Sequence, residues 1–281
     1  MQIDLVFLLI LPPEKTKKMI IDFHAHIYPE KIAEKASKSI ADFYNTSMAF
    51  DGSVENLLKS GATIDVKKYI VHSTATKPEQ VIHINDYIIS QCLKHDCFVG
   101  FGTLHPDFQD NISEIDRILL AGIRGIKLHP DFQKFQFDSN KMDDVYKYLS
   151  EKNMPILVHA GDYRYDFSSP KRIAAVIEKF PDLKIVAAHF GGYSEWDKSV
   201  EYLVGKRVWF DTSSTLWKLD YSTANKMLKA HDVEKFFFGT DYPMWNHKEE
   251  LQRFLKLDLT PQEQEMILWK NAAEFLNLTL E

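Results

Sequence analysis

Five side chains that can bind a metal ion each stand at the end of a short apolar run: His24, His26, His159, His189 and Asp241. His24 and His26 are separated by one residue, so on a β-strand both imidazoles would point to the same face, about 7 Å apart along the strand. Imidazole nitrogens together with a carboxylate suit a borderline metal such as zinc. These residues therefore predict one metal site, provided that the fold brings the ends of the runs together.

Eight apolar runs, rich in β-branched and aromatic residues, recur along the chain and could supply such a fold. Runs of this length fit strands that are buried on both faces, as in a parallel sheet. Segments with helical spacing separate them; in residues 169–180, for example, Ile173, Val176, Ile177 and Phe180 form one apolar stripe. The predicted strands are residues 19–26, 67–74, 97–104, 123–130, 155–160, 184–190, 208–213 and 235–241.

A strand followed by a helix, repeated eight times, is the order of elements in a (β/α)8 barrel. We therefore predict an α/β fold, a single TIM barrel with the metal site at the C-terminal mouth of the strands, where barrel active sites lie. A doubly wound open sheet is the alternative, but it would not place polar residues at the ends of five strands so regularly. Residues 44–64 show no clear pattern and are a candidate lid.

The chain has 281 residues, which one barrel would fill. Residues 19–281 are predicted to form this domain, with Met19 close to the functional start. Residues 1–18 are predicted to be an N-terminal appendage. Their apolar run, residues 5–11, is shorter than the roughly 20 residues that a transmembrane helix needs, and no positively charged segment precedes it. We therefore expect no membrane attachment.

Charge and cysteine usage narrow the class of protein further. The net charge is −6, and the basic residues are spread along the chain, which argues against a nucleic-acid binder. Cys92 and Cys97 cannot form a disulfide framework, and we expect two reduced thiols in a cytoplasmic protein.

The other histidines give a weaker signal. His72 and His105 lie near strand ends but have no histidine two residues away, so we expect them in the core. Surface positions are expected for the histidines that fall in helical or polar segments, namely His83, His95, His231 and His247.

Five strand-end sequences together resemble the amidohydrolase superfamily. They are IIDFHAHIYP at the first strand, GIKLHP at the fourth, PILVHAG at the fifth, AHFGG at the sixth and GTDYP at the eighth. The resemblance extends from Met19 to about Leu276 and is nearest to the amidohydrolase-related (family 2) branch, which includes aminocarboxymuconate-semialdehyde decarboxylase and aromatic-acid decarboxylases.

The resemblance implies a role for each residue that matches a family motif. His24, His26, His159 and Asp241 match the ligands of one divalent metal ion, Zn²⁺ with Mn²⁺ as the alternative. Asp241 and His189 match the catalytic residues: Asp241 also carries protons, and His189 polarises the substrate or a water molecule.

The fourth strand bears on the number of metal ions. Binuclear relatives bind a second metal through the sixth-strand histidine and need a bridging carboxylate at the fourth strand. A carbamylated Lys127 could supply it here. A plain Lys127 ammonium that binds a substrate carboxylate is the alternative, and we predict a single metal ion.

Basic residues near the predicted mouth indicate a carboxylate-bearing substrate. Lys127 and His129 end the fourth predicted strand, and Arg164 lies in the loop after the fifth. Arginine is well suited to bidentate carboxylate binding. The alternative for Arg164 is a pairing with Asp162 or Asp166.

The same ligand set supports two reactions on a small-molecule substrate. The open metal position could activate a water molecule that hydrolyses an amide, ester or lactone, with Asp241 taking the proton. It could equally serve the non-oxidative decarboxylation of a small unsaturated or aromatic acid. Some aromatic-acid decarboxylases of the branch carry Glu in place of the first histidine, so His24 favours hydrolysis. The resemblance also implies a homodimer as a common assembly, while a barrel that binds metal without turnover is the competing class.

Overall fold

The computed structural model describes residues 19–279, and eight parallel strands form its centre. Each strand pairs with the next one along the chain, in the order β1 to β8. Every strand coincides with a predicted apolar run. The strands are β1 Ile20–His26, β2 Val66–His72, β3 Phe98–Thr103, β4 Gly125–Leu128, β5 Ile156–Val158, β6 Ile185–Ala187, β7 Trp209–Asp211 and β8 Phe236–Phe237.

Backbone hydrogen bonds join the last strand to the first and nearly close the barrel. The Phe23 N–H donates to the Phe238 carbonyl over 2.8 Å, and the His26 N–H donates to the Tyr242 carbonyl over 2.7 Å. We call this junction between β1 and the chain around β8 the seam. The predicted TIM barrel is confirmed.

Helices alternate with the strands and cover the outside of the barrel. Residues 261–276 form one helical stretch, built from α11 (Pro261–Glu265), a π-helical turn at Met266–Lys270 and α12 (Asn271–Leu276). In the described part of the chain the α-helices are α1 Glu30–Tyr44, α2 Val54–Ala62, α3 Val81–Lys94, α4 Asn111–Leu120, α5 Pro130–Gln133, α6 Asp143–Glu151, α7 Pro170–Lys179, α8 Trp196–Tyr202, α9 Tyr221–His231, α10 His247–Phe254, α11 Pro261–Glu265 and α12 Asn271–Leu276.

Helix α2 lies in the segment that the sequence left without a pattern, so that interpretation was wrong for residues 54–62. The Ser53 hydroxyl caps the helix by accepting a hydrogen bond from the Asn56 N–H over 3.4 Å. Gly61 lets the helix approach β2 closely, because a Cβ there would lie 1.9 Å from the Tyr69 hydroxyl oxygen. A nine-residue helix with a glycine near its end gives little periodic signal.

The barrel interior is apolar at its N-terminal end, which we call the floor. The Phe23 and Phe237 rings stack there with centroids 4.3 Å apart, and Phe101 meets Phe23 edge-on at 5.9 Å. Ala272 and Leu276 of α12 pack against this cluster from below. The opposite end, the mouth, contains the ionisable side chains.

Two histidines expected at the surface, His231 and His247, are in fact buried. The Gly205 N–H donates to His231 Nδ1 over 3.0 Å, and His231 Nε2 lies 2.8 Å from the Val208 carbonyl. His247 Nδ1 lies 2.8 Å from the Ser60 hydroxyl. These partners compensate for lost hydration, and they come from segments distant in sequence that a helical pattern does not reveal.

Other predictions meet the structure only in part. The predicted appendage, residues 1–18, lies outside the described residues. Across residues 19–279, no helix is both long enough and apolar enough to cross a membrane. Cys92 and Cys97 are free and half-buried, and burial raises the pKa of the Cys92 thiol to about 11, so it stays protonated.

Candidate metal centre

A β-bulge in β1 brings His24 and His26 into the mouth. The pairing of β1 with β2 shifts register between Asp22 and Ala25. Phe23 belongs to the floor cluster, Ala25 packs in the outer core, and the two histidines line the mouth cavity. A bulge changes the direction of the side chains that follow it. Phe23 and His24 therefore both face the barrel interior although they are consecutive.

Three potential ligand atoms converge in the mouth. The Nε2 atoms of His24 and His26 are 3.2 Å apart, and each lies 3.4 Å from Asp241 Oδ1. Ligands about 2.0–2.1 Å from a tetrahedral zinc ion are themselves about 3.4 Å apart. Asp241 reaches this position from a left-handed backbone with φ 58°, a conformation that is rare and strained for residues other than glycine.

Asp211, at the end of β7, orients His24 from behind. Its Oδ2 lies 2.8 Å from His24 Nδ1, so Nε2 is left to face the mouth. It also accepts hydrogen bonds from the backbone N–H groups of His189 at 3.0 Å and Ser213 at 3.1 Å. Burial alone would raise the pKa of Asp211, but these partners, His24 foremost, hold it at about 2.

His159 and His189 enter the same cavity from β5 and β6. His159 Nδ1 lies 3.0 Å from His189 Nε2. The Ala188 side chain points to the floor. The left-handed φ of 62° at His189 lets the His189 side chain face the barrel interior as well, although the two residues are consecutive. Gly161 allows the two turns to meet, because a Cβ there would lie 2.9 Å from the Gly192 backbone.

The protonation states of this set suit a divalent cation. Burial lowers the pKa of His26 and of His189 to about 4, and that of His159 well below its usual value. Burial works to raise the pKa of Asp241, but His24 and His26 outweigh it and hold this pKa well below the usual range. Neutral imidazoles and an ionised carboxylate are the forms in which these residues bind metals.

Lys127 is wholly buried beside the donor atoms. Its Nζ lies 3.2 Å from His24 Nε2. Burial lowers the pKa of Lys127 to about 8, against the opposing effect of Asp241 and Asp211. The side chain is therefore mainly an ammonium at neutral pH, inside the cavity where the sequence analysis placed a carboxylate-binding group.

Three parallel rings form one wall of the cavity. The Phe132 and His129 rings stack with centroids 3.7 Å apart, and His129 stacks on His159 at 4.0 Å. We call these three residues the ring stack. Tyr44, the last residue of α1, covers it: its hydroxyl lies 3.0 Å from His129 Nε2 and 3.4 Å from His159 Nε2.

Arg164 does not line this cavity. Its guanidinium pairs with both carboxylate oxygens of Asp162, at 2.9 and 2.6 Å, which is the alternative that the sequence left open. It also donates to the Phe43 carbonyl over 2.5 Å. In this structure Arg164 fixes the end of α1, and with it Tyr44, over the mouth.

The comparison with protein families decides the identity of the chain. A family model described as amidohydrolase matches residues 21–278. The chain belongs to this family of enzymes. The matched region contains every residue of the candidate metal centre.

Individual relatives of this amidohydrolase include decarboxylases. It is 25% identical to the decarboxylase orsB of Emericella nidulans in an alignment 288 positions long, which covers 82% of this chain and 86% of that protein. The fold matches 5-carboxyvanillate decarboxylase LigW from Sphingomonas paucimobilis with a TM-score of 0.72 and 14% identity, covering 93% of this chain and 100% of that one. It also matches a dihydroxybenzoic acid decarboxylase from Polaromonas sp. JS666, solved with manganese and 2-nitroresorcinol. The TM-score is 0.72 at 15% identity, and the match covers 94% of this chain and 98% of that one.

The site of this amidohydrolase includes residues that the sequence analysis did not assign to it. Asp211 follows the apolar run of β7, so its position at a strand end was an available signal. Tyr44 comes from a helix end and had no local signal. His72 was expected in the core, and its ring lies 4.4 Å from that of His26 with neither nitrogen bonded to any described residue.

Proposed function

We propose that this member of the amidohydrolase family is a metal-dependent, non-oxidative decarboxylase of a small aromatic or unsaturated acid. The observation that carries the proposal is the placement of buried Lys127 and the ring stack around one small cavity. An ammonium suits a carboxylate, and parallel rings suit a planar acid. The similarity to the decarboxylase orsB supports the same reaction.

The small volume of the mouth cavity favours loss of CO₂ over attack by water. The cavity measures about 30 Å³, which holds about two water molecules. A carboxylate that leaves as neutral CO₂ loses its charge, and a cavity with little water makes this loss easier.

We infer that His24, His26, His159 and Asp241 would hold one divalent ion, zinc or manganese. When bound, the ion supplies a Lewis acid that polarises a substrate oxygen. Elemental analysis of protein purified without chelator should give about one ion per chain. About two would point to His189 as a ligand and to a carbamylated Lys127. No metal, even after soaking, would contradict the proposal.

The residues of the chain can move the proton that decarboxylation requires. Asp241 is ionised, so it first takes a proton from a hydroxyl next to the substrate carboxylate. It then donates this proton to the carbon that bears the carboxylate. The electron pair of the breaking C–C bond returns to the substrate as CO₂ leaves, and solvent reprotonates the hydroxyl oxygen. His189 lines the same cavity and is the alternative proton carrier.

The test is a panel of hydroxybenzoates and small unsaturated acids with metal-loaded protein. We expect CO₂ release equal to the loss of acid. Lys127→Gln should raise KM at least about tenfold, the scale of a lost charged hydrogen bond, without loss of metal. Lys171→Gln, at an exposed position of α7, is the matched control. Absence of CO₂ from every acid, with metal bound, would refute the proposal.

Hydrolysis of a lactone, ester or amide is the second candidate, favoured by the contact of ionised Asp241 with both His24 and His26. A carboxylate in this position can accept a proton from an attacking water molecule. Lactones in the same panel test it by proton release on ring opening. Lactone turnover without CO₂ from any acid would replace the first candidate.

A further inference from the structure

A second cavity, of about 550 Å³, adjoins the metal centre between α1 and α3. We call it the α1–α3 groove. It shares His26, Ile40 and Phe132 with the mouth cavity, so the two spaces have a common wall that includes a candidate metal ligand. Its volume lies in the range of small-molecule binding sites.

The side of α1 that lines the groove is an apolar stripe outside the core. Ile32, Ala36 and Ile40 are spaced four residues apart and lie along one face of the helix. Neither hydrophobic core cluster of the described residues includes them. Ile32 is 49% exposed. The stripe therefore lies outside the core and lines the groove.

The opposite wall and the base of the groove suit an apolar ligand with a polar rim. Ile84 and Tyr87 of α3 form the wall. Thr74 lies near the base, and its buried hydroxyl has no hydrogen-bond partner among the described residues. Among residues 19–279, no aspartate or glutamate lines the groove, whereas Lys35 and His83 do. The lining thus offers no charge that would repel an acid.

The mouth cavity is much smaller than the groove beside it, at about 30 Å³ against about 550 Å³. A substituent that extends from an acid bound in the mouth can pass the shared wall at His26 and Ile40 and enter the groove. We propose that the α1–α3 groove binds an extended apolar substituent of the acid, such as an alkyl chain of several carbons. This specificity rests on the proposed function for the class of substrate.

Hydroxybenzoates with alkyl chains of one, four and six carbons, at ring positions 4 and 5, test the groove directly. Calorimetry with the metal-loaded full chain gives Kd for each acid, and CO₂ release gives turnover. Burial of each methylene group should tighten binding about threefold. For at least one ring position we therefore expect the hexyl acid to bind at least about 30-fold more tightly than the methyl acid.

Two variants place this effect in the groove. Ala36→Trp fills it and should reduce the advantage of the hexyl acid to less than about threefold, while the methyl acid binds as before. Ile84→Ala should weaken the hexyl acid about five- to tenfold and leave the methyl acid unchanged. Ala175→Trp, at an exposed position of α7, is the matched control and should change neither Kd.

Several outcomes would overturn the proposal. One is equal Kd values for the methyl and hexyl acids in the unmodified protein. Another is an equal loss of affinity for both acids in Ala36→Trp. A change of oligomeric state in Ala36→Trp with unchanged Kd values would assign the groove to a second copy of the chain. Binding that depends on the length of the alkyl chain, without CO₂ release, would refute the decarboxylase activity but still support the groove as the site that binds the alkyl chain.

Discussion

The floor and the mouth of the barrel are equally buried but are built from opposite kinds of side chain. At the floor, Phe101 is wholly buried among other rings, and at the mouth Lys127 is wholly buried among histidines and carboxylates. Burial of apolar surface stabilises the fold, whereas burial of a charge costs stability unless it is fully paired. The difference indicates that the floor stabilises the barrel, whereas the mouth holds the candidate functional site.

The largest expected effect is at the mouth. Asp241→Asn removes both a proposed metal ligand and the proposed proton carrier, so kcat should fall at least about 10³-fold. The Tm of the metal-free protein should also fall, because the lowered pKa of Asp241 means that its ionised form stabilises the fold at neutral pH. Activity assays and thermal melts test this, with Asp182→Asn on the surface as the control. Retained activity would remove Asp241 from the mechanism.

The corresponding change at the floor should affect stability instead. Phe101→Ala leaves a cavity beneath Phe23 and should lower the free energy of unfolding by about 3–5 kcal/mol. Urea unfolding measures this, and Phe101→Leu should cost less because it keeps more of the volume. Metal affinity should remain unchanged. A loss of metal affinity as large as that of Asp241→Asn would show that the two ends are not separate.

A smaller effect is expected at Asp211, which contacts the candidate ligand His24 on the side away from the mouth. Asp211→Asn should lower metal affinity about 10- to 100-fold, because His24 loses the carboxylate that orients its ring. Competition with a metal-binding dye measures the affinity. At saturating metal, kcat should recover most of its value, which distinguishes Asp211 from Asp241. Unchanged metal affinity would contradict this role.

The smallest effect concerns a histidine outside both ends. Burial lowers the pKa of His231 to about 4. The unfolded chain therefore binds a proton more readily, and the stability contribution of neutral His231 is present above its unfolded pKa and lost as the pH falls toward 4. Between pH 7 and 5 this loss is about 2 kcal/mol. Urea unfolding of His231→Gln should show a correspondingly weaker pH dependence than that of the unmodified protein. Identical pH profiles of the two proteins would rule out this contribution of His231.

The sequence predicted the barrel well because its signal is local. Strands buried on both faces must be apolar along their length, so each of the eight apolar runs corresponds to one strand. The candidate ligands followed from their positions at the ends of these runs. Every residue proposed for the metal lines one cavity in the structure.

What the sequence did not reveal depends on neighbours distant along the chain. The bulge in β1 arises from its pairing with β2, and the left-handed backbone at His189 and Asp241 depends on the surrounding turns. Tyr44 lies at the end of a helix that Arg164 holds over the mouth through the Phe43 carbonyl, 121 positions away along the chain. Such positions carry no periodic pattern of their own.

The seam of the barrel has a consequence for how this protein would acquire its ion. His24 and His26 lie at the start of the described chain, and Asp241 follows the last strand, so these candidate ligands come together only when the seam forms. A growing or truncated chain that lacks β8 has no complete ligand set. Metal capture should therefore wait until the chain around β8 has been synthesised, and the bound ion should then slow reopening of the barrel at the seam.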